Sequence, residues 1–88
     1  MTGLSAARRR ELAYELSVLA SYMPPGSPAA RHAHLAHGAL TEGRITAARE
    51  HLRRAIEADA RSLDVAHRRR MAEVDTALTA AFGPLTTP

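Results

Sequence analysis

The sequence predicts an all-α fold, a small four-helix domain with residues 1–88 as a single unit. Three observations lead there. Strand signals are almost missing: Val and Ile together number five, and no alternation of apolar and polar residues persists. Ala, Leu, Arg and Glu dominate, and these are good helix formers. Finally, the helix breakers fall at wide intervals, at Pro24-Pro25-Gly26, Gly43 and Gly83-Pro84.

The first helix is expected over about 5–22. Leu12, Leu16, Leu19 and Met23 recur at helical spacing and share one face. Tyr14, Val18 and Tyr22 form a flanking stripe, so this helix is expected to touch more than one neighbour. Pro24 and Pro25 stop it, because proline lacks the N–H and fixes φ. The second helix, about 28–41, has Ser27 as N-cap and Pro28 as its first residue. Gly43 suits the left-handed turn that follows. The third, about 45–59, has an inner face of Ile45, Ala48, Leu52, Ala55 and Ile56. On its outer face Glu50–Arg54 and Glu57–Arg61 stand one turn apart, and each such pair adds about 0.2–0.5 kcal/mol. The fourth, about 62–82 with Ser62 as N-cap, carries the stripe Leu63, His67, Met71, Val74, Leu78 and Phe82. Residues 83–88 are expected to be a flexible tail.

Composition excludes several classes. There is no cysteine, hence no disulfide scaffold, cysteine-bound zinc or thiol catalysis. No apolar run approaches the roughly 18 residues of a membrane span. Arg8, Arg9 and Arg10 are followed by Glu11 and Glu15 rather than by a signal-peptide core, so the expected location is cytoplasmic. Nineteen apolar residues are alanine and 21 are large. So thin a core predicts that part of the apolar surface is buried against a partner. All twelve basic residues are arginine, on a chain of net charge +3. That pattern fits GC-rich codon usage as well as selection for guanidinium chemistry.

The second and third helices are joined by only three or four residues, which forces an antiparallel hairpin. Leu35 and Ala36, the turn glycine Gly43, and the small-large-small set Ala48, Leu52 and Ala55 stand at the offsets of a helix pair that packs closely. Over about residues 29–61 this pattern resembles a single tetratricopeptide repeat. His32, Ala39 and Ala60 depart from it at the usual large, tyrosine and proline positions, and no second copy follows. The resemblance implies a central hairpin capped by the first and fourth helices or by another chain. It also implies a binding groove faced by Ala33, His37, Leu40 and Thr41.

Catalytic patterns are missing: there is no phosphate loop, no nucleophile elbow and no paired carboxylates beside a histidine. His34 and His37, at i,i+3, are the nearest approach to a metal pair, and no carboxylate one turn away completes it. No metal and no cofactor are therefore expected. His67 reads as a core or interface histidine and His51 as solvated. The expected function is non-catalytic protein–protein interaction, as an adaptor or accessory subunit binding another protein or a second copy of itself. The expected binding residues are Leu12, Tyr14, Leu16, Leu19, Tyr22 and Met23 on the first helix, and His37 and Leu40 on the second. On the fourth they are Met71, Val74, Leu78 and Phe82, with Tyr14, Tyr22 and Phe82 as anchors. The alternative is a small nucleic-acid-binding regulator using Arg8, Arg9, Arg10, Arg68, Arg69 and Arg70. No membrane partner is expected.

Overall fold

Helix ends form where local chemistry satisfies the free backbone groups. The computed structural model describes residues 3–58 and 65–84, with helices α1 (Ala6–Ser21), α2 (Pro28–Thr41), α3 (Ile45–Ala58) and α4 (Val65–Phe82). Ser5 Oγ accepts the Arg8 N–H and Ser27 Oγ accepts the Ala30 N–H, each at 3.1 Å. At the end of α2, Gly43 N–H donates to the Leu40 carbonyl and Arg44 N–H to the Ala39 carbonyl, the paired bonds of a Schellman turn. That turn needs a left-handed residue, and Gly43 supplies it with φ +82°. The Arg9 guanidinium lies 3.2 Å from where a side chain at Gly43 would begin, so a larger residue there is strained and crowded at once. Residues 59–64 and 85–88 lie outside the described residues, and with them the Ser62 cap, Leu63 and the Glu57–Arg61 pair.

The four helices run alternately up and down. Each packs on its neighbours in sequence, and α4 returns to α1. Among the described residues there is no strand. Contacts across the pairs show the antiparallel sense. His37 meets Ala13 between α2 and α1, His32 meets His51 between α2 and α3, and Tyr22 meets His67 between α1 and α4.

Two kinds of packing build this square. α2 buries Ala29, Ala30, Ala33, Ala36 and Ala39, and small side chains let it lie close against both α1 and α3. α4 buries Met71, Val74 and Leu78, and bulky side chains hold its axis further off. The core between them contains Leu12, Leu16, Leu19, Leu40 and Leu52. The second neighbour of α1 is therefore reached through Ala13 and Ala20, whereas Tyr14 and Tyr22 stay exposed. Of the flanking stripe, Tyr22 reaches α4 by stacking on His67, whereas Tyr14 is exposed on the outer surface.

Among the described residues one charged side chain is buried: Arg49 on α3 is 5% exposed. Its Nη2 donates to the Gly83 carbonyl at 2.7 Å and to Thr79 Oγ1 at 3.4 Å, so it caps the C-terminal end of α4 with a positive charge. An Arg49→Ala variant is expected to lose about 1–3 kcal/mol, since it removes a charged hydrogen bond and strands a carbonyl. The loss should appear first as faster amide exchange in the last turns of α4. Unchanged protection there would mean that Arg49 does not anchor the helix.

Candidate interaction site

Burial separates the expected binding residues into two groups. Leu16, Leu19, Met23, Leu40, Met71 and Leu78 are buried in the chain's own core and present no surface to a partner. The apolar stripes of α1 and α4 close on each other, which corrects the expectation that they wait for another protein. Tyr14 is 68% exposed, Tyr22 is 59% and Phe82 is 38%. His37 is half-buried, and its Nδ1 donates to the Ala13 carbonyl at 2.8 Å. A carbonyl only accepts, so this bond fixes the proton on Nδ1 and ties α2 to α1. The groove implied by the repeat resemblance is not open either: Ala33 and Leu40 are fully buried because α1 lies over that side of α2.

A different groove is present, along the seam of α1 and α4. The ring of Tyr22 stacks on that of His67 with centroids 4.5 Å apart, near the junction of the α1 C-terminus with the α4 N-terminus. One to two turns further along α1, Arg70 Nε donates to Glu15 Oε1 at 2.5 Å. That hydrogen bond, with the adjacent carboxylate charge, raises Arg70 above its ordinary pKa. At the other end Gly3 N–H donates to the Ala81 carbonyl at 3.0 Å. Between the last two contacts opens a groove of about 370 Å3. Leu12 and Val74, both buried, belong to its lining, together with Tyr14, Arg8, Glu11, Glu15, Arg70 and Glu73.

The electrostatics follow from that lining. Two arginines face three glutamates, one net negative charge on a chain of net +3. Arg70 is engaged by Glu15, and Arg8 approaches Glu11 at 3.6 Å. Such solvent-screened pairs contribute little to stability, so they are readily exchanged for a partner's charges. The Glu15–Arg70 pair spans 55 residues of sequence, and periodicity along one helix carries no trace of it. The only available hint was that each residue borders an apolar stripe.

The arginine triplets do not form one patch. Antiparallel α1 and α4 put Arg8, Arg9 and Arg10 near one end and Arg68 and Arg69 near the other, separated by roughly 18 Å of helix. Arg9 is half-buried against Gly43, and Arg70 turns to Glu15. Asp64, one turn before Arg68 in the sequence, is outside the described residues. His34 is exposed while His37 points at α1, so the i,i+3 pair does not converge. His51 is not simply solvated. It is half-buried, and its Nδ1 lies 3.2 Å from His32 Nδ1. Among the described residues no three His, Asp or Glu side chains gather as a metal set would. No helix among them is long and apolar enough to cross a membrane. No protein-family model, curated protein or solved structure matches the chain.

Proposed function

We propose that this protein is a non-catalytic protein–protein interaction module, and that its docking site is the groove between α1 and α4. The observation that carries this reading is the groove's lining: an exposed tyrosine and a surplus carboxylate around an apolar floor, on a chain that is basic elsewhere. Tyrosine offers a large, rigid contact area with little entropy to lose. The fitting partner is a protein segment that presents an arginine or lysine beside an apolar side chain. The cation meets Glu73 and the face of Tyr14, and the apolar group meets Leu12 and Val74. Nucleic acid fits this groove poorly, because Glu11, Glu15 and Glu73 repel phosphate. In this reading the α2–α3 hairpin, kin to a single tetratricopeptide repeat, is the scaffold rather than the binding face.

Selection from a library of random helical peptides tests the proposal. Enriched binders should carry Arg or Lys and should shift the amide resonances of α1 and α4. Tyr14→Ala and Glu73→Lys should each weaken the selected peptide about tenfold or more, with folding stability nearly unchanged because both side chains are exposed. His34→Ala, on the far side of α2, should have no effect. Binders that map to α2 and α3 would overturn the reading. So would retention of a random DNA duplex at moderate salt with no peptide enriched.

A further inference from the structure

We propose that His32 and His51 hold one shared proton between them and form a pH-operated clasp between α2 and α3. The geometry carries this. The two Nδ1 atoms are 3.2 Å apart, and the ring planes differ by only 26°. The ring centroids are 5.4 Å apart, nearly the sum of the N···N distance and the two ring radii. The nitrogens therefore lie close to the line joining the rings. The imidazoles meet edge to edge, each Nδ1 aimed at the other, and do not overlap face to face.

That arrangement has a fixed proton count. In the neutral pair one ring carries Nδ1–H and donates, and the other carries its proton on Nε2 and accepts. A first added proton enters at the free Nε2 of the donor ring. It leaves the bond in place and makes it charge-assisted. A second proton has only the accepting Nδ1 to occupy. It puts two N–H groups head to head and two positive charges on adjacent rings, so the bond is lost.

The surroundings decide which ring resists. Burial comes first, then the His32 ring and the Arg54 guanidinium; together with the more distant Arg44 they push His51 below its ordinary 6.5, against the opposing charge of Glu50. His51 is accordingly the acceptor, and the second proton is the one it takes. The unfolded chain protonates His51 near 6.5 and the folded chain resists. Stability contributed by the pair is therefore full above that pH. It falls as the pH drops below 6.5 and levels off once the folded ring is also protonated.

The test is a histidine side-chain nitrogen NMR titration of the full chain from about pH 8 to about pH 4.5. The expected result is one Nδ1–H and one Nε2–H ring at the alkaline end. Protons should then enter in two steps about one pH unit or more apart. In a His32→Ala variant the His51 midpoint should move up towards 6.5, and the second step should vanish. Two Nε2–H rings that titrate together, with His51 unmoved by His32→Ala, would overturn the clasp. A double-mutant cycle of His32→Ala and His51→Ala, read by urea unfolding at a pH above the first of the two steps and at a pH below the second, gives an independent decision. Coupling between the two positions must be present at the first pH and absent at the second. Coupling that is equal at both, or missing at both, excludes a proton-operated contact.

Discussion

A Leu16→Ala variant is expected to lose about 3 kcal/mol of stability. Leu16 is 0% exposed and sits in the α1 face that meets the rest of the core. Truncation removes its transfer free energy and leaves a cavity that neighbouring helices fill only in part. The effect is large relative to the whole, because a chain of 88 residues has roughly 4–13 kcal/mol to lose. Urea unfolding followed by helical circular dichroism checks it: the midpoint should fall by roughly a quarter to three quarters with an unchanged slope. An unchanged midpoint would mean that α1 does not pack through this face. The same burial governs how Leu16→Asp is to be read. An unpaired carboxylate in that position unfolds the domain, so loss of partner binding in such a variant reports folding and not an interface.

Enlarging the close side of the square should do comparable damage by the opposite route. Ala36 is fully buried on α2, among alanines that set the approach to α1 and α3. In Ala36→Leu three extra carbons have to enter a contact already at its closest spacing. The expected loss is about 3 kcal/mol, the upper part of the range for overpacked cores. The next residue provides the control. Leu35 is 46% exposed, and Leu35→Ala should change stability by no more than about 0.5 kcal/mol. If Ala36→Leu were as mild as that control, α2 would not be held between two helices. A melting scan of the pair, with the helical signal at low temperature as the fold check, separates the two cases.

These two neighbours also show what the sequence made legible. Periodicity along one helix identifies an inward face, and the inward faces of α1, α3 and α4 were readable because large residues recur at 3.6-residue spacing. The breakers and caps around α2 were equally plain: Ser27, Pro28 and Gly43 each have one local job and do it. Periodicity does not say what covers a face. Leu12, Leu16, Met71 and Leu78 were read as surplus apolar surface because the core looked too thin to use them. Nine buried alanines among the described residues resolve that shortage, since a helix lined with alanine needs little volume to be fully covered. The leucine supply is then sufficient for the α4 side alone. The groove leaves no mark in the sequence for a related reason. Its charged wall is made by residues brought together from α1 and α4, and Glu15 and Arg70 carry no mark of each other in the chain. His51 is unreadable from its own helix for the same reason, because its partner is on α2.

The hydrogen bond from Gly3 to Ala81 gives the molecule a further property. It brings the two extremities of the described chain into contact, so the backbone is nearly a closed circuit. Among the described residues each helix lies backbone to backbone against its neighbours around this circuit. Such a circuit has no privileged opening. A short bridge from Gly3 to the end of α4 and a cut at an exposed connection, such as Pro24-Pro25-Gly26, would preserve all four helix pairs while changing their order in the chain. The closeness of Gly3 and Ala81 also allows the four helices to be spliced into a surface loop of another protein with little distortion of either, so the groove between α1 and α4 can be carried as an insert.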